Sequence, residues 1–265
     1  VDWYNGGMEH TTLHLLYSRF WHKFLYDLKL VPTVEPYQKR TSHGMVLGEG
    51  GVKMSKSLGN VINPDDIVKI YGADTLRIYE MFMGPFEEAV VWSTESIIGS
   101  RRFIEKVWRI SQKVQDNLKN FSGPRFSGAP TPGQTIQNPL DYLSLQKLLH
   151  KTIKKVSEDI ESMRFNTAIS AMMILATEME KTLEKGQTLN PQKGLAFGVE
   201  NYKKFLQILA PFAPHITEEI WQNLKTVFKE VSPKTVFWET ESIHFSNWPK
   251  WDENLVKDKE IKIAV

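Results

Sequence analysis

The chain has 265 residues, 41% hydrophobic and 24% charged, enough for one large domain or two smaller ones with a real core. With no cysteine, disulfides and thiolate metal sites are excluded, and 33 Lys+Arg against 31 Asp+Glu leave a net charge of only +2. Any nucleic-acid contact must therefore come from a local basic face.

The first element in chain order is a strand at Val1-Asp2-Trp3-Tyr4, closed by the turn signal Asn5-Gly6-Gly7. Leu13, Leu16, Tyr17, Phe20 and Phe24 recur at helical spacing and predict a helix over about 9–28. Within it His10 and His14, four residues apart, would project from one helix face. A strand is expected over 41–47, and Gly48-Glu49-Gly50-Gly51 reads as a hinge. Asn63-Pro64-Asp65-Asp66 is a helix start, and that helix stops at Gly72. Further helices are predicted over about 74–83, 93–120, 141–162, 164–184, 198–210 and 214–229. A long Gly/Pro/Ser-rich loop is expected over 121–139, and a closing strand or irregular segment from 233. On the helix from 164, Phe165, Ala168, Ile169, Met172 and Leu175 should bury one face. Pro211 and Pro214 set the angle between two helices.

The chemistry is concentrated in Lys53-Met54-Ser55-Lys56-Ser57, followed by Leu58-Gly59-Asn60. Two ammonium groups, two hydroxyls and a glycine-rich lead-in make a mobile polyphosphate site, for which lysine is a compact point charge on a flexible stem. A loop closing over a departing pyrophosphate stabilises the transition state more than the ground state. Lys151, Lys154, Lys155 and Arg164 are candidates for RNA phosphate contacts, but such a run is usually a solvated face, and Glu158, Asp159 and Glu161 among them favour that reading. No apolar run reaches transmembrane length, and no signal peptide is visible.

The stretch from KMSKSLGN through Met81-Phe82-Met83-Gly84-Pro85 resembles class I aminoacyl-tRNA synthetases. Gly6-Gly7-Met8-Glu9-His10, Leu13-His14-Leu15-Leu16-Tyr17 and Arg19-Phe20-Trp21-His22-Lys23 resemble the leucine-type enzymes of that family. So do Arg164-Phe165-Asn166-Thr167-Ala168-Ile169 and Leu209-Ala210-Pro211-Phe212-Ala213-Pro214-His215 in the second half. The resemblance implies a mostly α fold with an α/β remnant. It places the end of a Rossmann-type catalytic domain at 1–48, the KMSKS and stem-contact region at 49–92, an anticodon-binding-type helical bundle at 93–232 and the start of a C-terminal region at 233–265. It implies a fragment of a cytoplasmic ligase that activates leucine with ATP and Mg²⁺ and transfers it to tRNA(Leu), with no protein metal cage and no membrane.

By the same resemblance, Lys53 and Lys56 are catalytic and Met54, Ser55 and Ser57 complete the phosphate loop. Gly6 and Gly7 let the backbone approach the nucleotide, Glu9 binds the ribose, Met45 and Val46 border the adenine, and His10 and His14 line the leucine pocket. A first-turn acid, a plain turn and core strand residues are the competing readings of Glu9, the glycines and Met45–Val46. The family's HIGH sequence is not among the 265 residues. Val1 is not Met and both ends read as cuts inside a longer protein, so the chain alone is expected to be inactive, its partner being the N-terminal half. A natural subunit of a split synthetase, or a valine- or isoleucine-type relative, is the alternative.

Overall fold

The computed structural model describes residues 1–120, 139–184, 195–231 and 240–257. The loop expected over 121–139 lies outside them but for its last residue, which opens a helix, and the segment 232–239 lies outside them too. The chain divides into two compact units, one of residues 1–63 and 83–94, the other of 64–82 and 95–265. The segment expected at 49–92 is thus shared between them, its two helices falling in the second unit.

The first unit is α/β. Strand β1 (Trp3–Gly7) leads through a 3₁₀ turn (Met8–Thr11) into helix α1 (His14–Asp27), which returns the chain to strand β2 (Lys39–His43). Such a crossover is what parallel pairing requires. The strands pair in parallel, with Trp3 opposite Lys39 and Gly7 opposite His43. The Trp3 indole N–H donates to Thr41 Oγ1 at 2.6 Å, and the Lys39 ammonium lies 3.8 Å from the Trp3 ring centre. Strand β3 (Val46–Leu47) pairs in parallel with β4 (Val90–Val91).

Three expectations are corrected here. Asn5-Gly6-Gly7 is no turn but the second half of β1, because these residues pair with Thr41, Ser42 and His43 of β2. The helix expected over 9–28 begins only at His14, because Leu13 has φ −115° and ψ −105°. Thr11 Oγ1 donates to the Met8 carbonyl at 2.7 Å, a local bond that holds the preceding residues in the tighter turn. The strand expected over 41–47 is two strands, broken at Gly44. A Cβ there would overlap the backbone of Glu88, so only glycine lets the chain pass this close.

No residue of α1 is buried, and Leu16, Phe20 and Trp21 are 62%, 68% and 59% exposed. Parallel sheets are ordinarily covered on both faces, and the pair β1–β2 is too small to cover a helix.

The second unit is helical. Helix α2 (Pro64–Tyr71) starts with Pro64 at its first position and stops at Gly72, whose φ of +89° suits only glycine without strain. Helix α3 (Ala73–Phe82) follows, then α4 (Ile97–Asn120), α5 (Pro139–Glu161), α6 (Phe165–Glu184), α7 (Leu195–Leu209) and α8 (Pro214–Val231). A 3₁₀ turn (Ile243–Phe245) and the short α9 (Glu253–Val256) complete the described chain. Ile110, Leu149, Ile153, Phe205 and Trp221 are fully buried in the common core. On α6 the expected face is inside: Ala168, Ile169, Met172 and Leu175 are buried and Phe165 packs against the cluster.

Polar clamps fix the corners. The Asp74 carboxylate on α3 accepts from the backbone N–H groups of His215 and Ile216, at 3.4 and 2.7 Å, in the first turn of α8. This is the favoured place for an anion. One turn on, Arg77 donates to the carbonyls of Pro211 and Phe212 in the turn between α7 and α8.

At the α5–α6 turn the buried Asp159 carboxylate accepts from Lys155 at 2.8 Å, Arg164 at 3.0 Å and Thr167 Oγ1 at 2.6 Å. Its two cations are about half exposed, at 49% and 58%. We expect Asp159→Ala to cost about 2 kcal/mol, less than a fully desolvated pair would. Chemical denaturation measures it; a loss under about 0.5 kcal/mol, as for a surface pair, would contradict the expectation.

The segment after α8 is held by a backbone N–H: that of Asp252 donates to His150 Nδ1 at 2.8 Å. Burial lowers the His150 pKa from 6.5, Lys204 lowers it further, and Asp252 opposes the shift. A lowered folded-state value gives stability that is present above the ordinary histidine value and lost as pH falls through the folded one. The Asp252 amide is therefore expected to lose hydrogen-exchange protection on acidification below 6.5, once intrinsic exchange rates are corrected for. A protection factor unchanged by acid would contradict it.

Candidate functional site

A cavity of about 670 Å³ opens at the carboxyl ends of β1 and β2, where ligands sit in parallel α/β sheets. Gly7, Glu9, Met45 and Val46 line it. Four residues assigned separately in the sequence are thus brought to one place. The Glu9 carboxyl folds back over Gly7, where a Cβ would displace it from this position. Among the described residues the Glu9 carboxylate has no hydrogen-bond partner. It is exposed and free to accept two hydroxyl protons. Gly6 is outside the lining; it stands opposite Ser42 in the sheet.

The cavity also takes Arg40, Thr41, Ser42, His43 and Glu87, which the sequence reading missed. Arg40 donates to Ser42 Oγ at 2.7 Å and to Thr11 Oγ1 at 2.9 Å. No local pattern signals these residues. Arg40 to His43 reach the cavity because parallel pairing across the α1 crossover sets Gly7 beside His43, and Glu87 arrives on the turn before β4.

His10 and His14 do not share a helix face, as was expected of them. His10 lies in the 3₁₀ turn and His14 opens α1 after the break at Leu13. His10 Nδ1 is buried with no hydrogen-bond partner among the described residues. His14 is built into an aromatic wall. Its Nδ1 shares a 3.1 Å hydrogen bond with the Tyr4 hydroxyl, its ring stacks 5.6 Å from Tyr4, and Tyr17 meets it edge-on at 5.3 Å.

The KMSKS loop belongs to the same unit. Ser55 Oγ accepts from the Leu58 N–H at 3.2 Å and opens a short 3₁₀ turn, Lys56–Leu58. Ser57 Oγ lies 3.0 Å from Ser55 Oγ. Lys53 and Lys56 are exposed, and among the described residues neither ammonium has an ion-pair partner. In the helical unit the basic run is largely occupied: Lys154 pairs with Glu253 at 3.3 Å, and Lys155 and Arg164 pair with Asp159. No group of three metal-ligating side chains is found among the described residues, and none of their helices is long and apolar enough to cross a membrane.

Residues 15–93 match the family described as tRNA synthetases class I (I, L, M and V), and residues 144–265 the anticodon-binding domain of tRNA ligase. The chain carries class I tRNA synthetase and anticodon-binding domains. Leucine–tRNA ligase of Alkaliphilus oremlandii (strain OhILAs) is 45% identical over 267 residues, which cover 100% of this chain and 27% of that protein. The chain thus spans about a quarter of the curated relative it matches. Among solved structures, the ternary complex of Agrobacterium radiobacter K84 agnB2 LeuRS with tRNA and LeuAMS has 31% identity and a TM-score of 0.74. It covers 97% of this chain and 29% of its own. Mycobacterium tuberculosis methionyl-tRNA synthetase in complex with methionyl-adenylate, at 17% identity and TM-score 0.63, covers 88% and 47% and shares the fold. The chain is homologous to a fragment of leucine–tRNA ligase and is mostly helical, with a helical anticodon-binding domain.

Proposed function

We propose that this chain is the KMSKS-bearing part of a leucine–tRNA ligase, which joins leucine to ATP as leucyl-adenylate and then passes the leucyl group to tRNA(Leu). The observation that carries the reading is that Gly7, Glu9, Met45 and Val46 line one cavity in the unit that also holds the two free lysines of the KMSKS loop.

The leucine carboxylate attacks the α-phosphorus of ATP, and the bond to the β,γ-pyrophosphate breaks. Negative charge builds on the departing group, and Lys53 and Lys56 stabilise it there, where it develops. Glu9 accepts the ribose hydroxyls. The Gly7 backbone approaches the nucleotide, with Gly6 beside it in β1, and Met45 and Val46 border the adenine. Met54, Ser55 and Ser57 shape the phosphate loop. His14, set by Tyr4, and the half-buried His10 border the leucine side chain. Mg²⁺ enters with ATP, held by its phosphates and water, as that ion prefers. The exposed Leu16, Phe20 and Trp21 of α1 form the face on which the rest of the catalytic domain packs.

The His14 assignment is tested by His14→Ala in the full-length protein. Removing the ring leaves a void beside Tyr4, and a hydrophobic pocket discriminates by only about 1–3 kcal/mol per methylene. We expect the kcat/KM ratio for leucine over valine in ATP–pyrophosphate exchange to fall roughly tenfold. An unmoved ratio places the leucine pocket elsewhere.

A further inference from the structure

The KMSKS loop presents two ammonium groups that must be held in place while remaining free of ion pairs. Its backbone shows how. The Asn60 side-chain amide makes two bonds into the loop. Oδ1 accepts from the Ser55 N–H at 2.8 Å, and Nδ2 donates to the Lys53 carbonyl at 3.3 Å. The two bonds fall on Lys53 itself and on the residue immediately before Lys56. Gly59 brings Asn60 back to this position with a left-handed turn of φ +64°, closed by its own N–H on the Lys56 carbonyl at 3.3 Å. Buried Gly48 leaves the room: a Cβ there would stand 3.1 Å from Asn60 Nδ2 and 3.4 Å from the Val52 carbonyl, which accepts the Gly48 N–H. Lys53 also bridges to Leu47 at the end of β3. The loop's stem is thus tied by backbone at Leu47–Lys53 and by one side chain at Asn60.

We propose that Asn60 is a positioning residue for pyrophosphate departure: its amide fixes the backbone spacing between Lys53 and Lys56 and leaves both ammonium groups free for phosphate. This rests on the role of those lysines proposed above. A primary amide suits the position because it alone offers one acceptor and one donor at adjacent atoms. Asn60 touches neither substrate nor reacting atoms. Its effect runs through the lysines, so it is visible only while they contribute.

The test is a double-mutant cycle in leucine-dependent ATP–pyrophosphate exchange by the full-length protein, with Asn60→Ala, Lys56→Ala and both together. Loss of the amide lets the lysines drift by about an ångström, so kcat is expected to fall at least tenfold, with KM for leucine within about twofold of the parent. In the Lys56→Ala background the same substitution should cost less than about threefold, because the group it positions is gone. A loss below tenfold in the parent background overturns the proposal, as does a full independent loss in the Lys56→Ala background, which would mark a merely structural residue. If Asn60→Ala lowers the thermal midpoint, Asn60→Asp takes its place. It keeps an acceptor for Ser55 but turns a carboxylate oxygen on the Lys53 carbonyl, and the same two thresholds apply. Failure of the underlying reading has a different signature: Lys56→Ala alone leaves exchange unchanged, or the parent shows no leucine-dependent exchange.

Discussion

Lys56→Ala in the full-length protein is expected to slow leucine-dependent ATP–pyrophosphate exchange by about 10²–10³-fold, the loss typical of removing one preorganised donor to developing charge. Lys56 is exposed and no acid among the described residues neutralises it, so its full charge is available. The charge it meets exists on the pyrophosphate only as the α-phosphorus bond breaks. The loss should therefore appear in kcat, while KM for leucine stays within about twofold. Removal of a ground-state phosphate contact would instead raise KM for ATP with kcat unchanged, and that result would remove Lys56 from the catalytic step. Lys53→Ala should act in the same sense, since its ammonium is equally free.

Residues 1–265 alone are expected to give no measurable leucine-dependent exchange. Aligning ATP with the attacking carboxylate supplies roughly 7–11 kcal/mol in well-oriented reactions, and a pyrophosphate-binding lysine adds little without it. The cavity residues are held by two sheets of only two strands each and the segments between them, and α1 leaves Leu16, Phe20 and Trp21 in water. The helical unit carries its own core, with Leu149, Met172, Phe205 and Trp221 fully buried, so the isolated chain should still be largely helical by circular dichroism. Activity is expected to return when the remainder of the catalytic domain is added in trans. Robust exchange by residues 1–265 alone would contradict the division of the site proposed here.

The helical unit was largely legible because its signals are local. Pro64 at a first helical position, Gly72 at positive φ, and the Phe165–Leu175 stripe each fix an element without reference to distant residues. KMSKS was legible as chemistry for the same reason. What could not be read depends on partners far along the chain. Gly44 divides an apparent strand because Glu88 passes against it, and nothing within 41–47 announces that contact. Arg40, Ser42 and His43 join the cavity only through pairing of β2 with β1. The missed break before His14 lies between these cases. Thr11 and Thr12 were visible, and both hydroxyls donate to carbonyls three residues back, Met8 and Glu9, but the apolar period of α1 outweighed them. The basic run at Lys154, Lys155 and Arg164 matched an RNA face by composition, and the structure pairs each of these cations with an acid.

The most direct test of the account is ATP–pyrophosphate exchange by the full-length protein with each amino acid in turn. Leucine should support exchange with a kcat/KM at least roughly tenfold above that for valine or isoleucine, the scale on which an apolar pocket separates side chains. Exchange supported best by another amino acid, or by none, would contradict it.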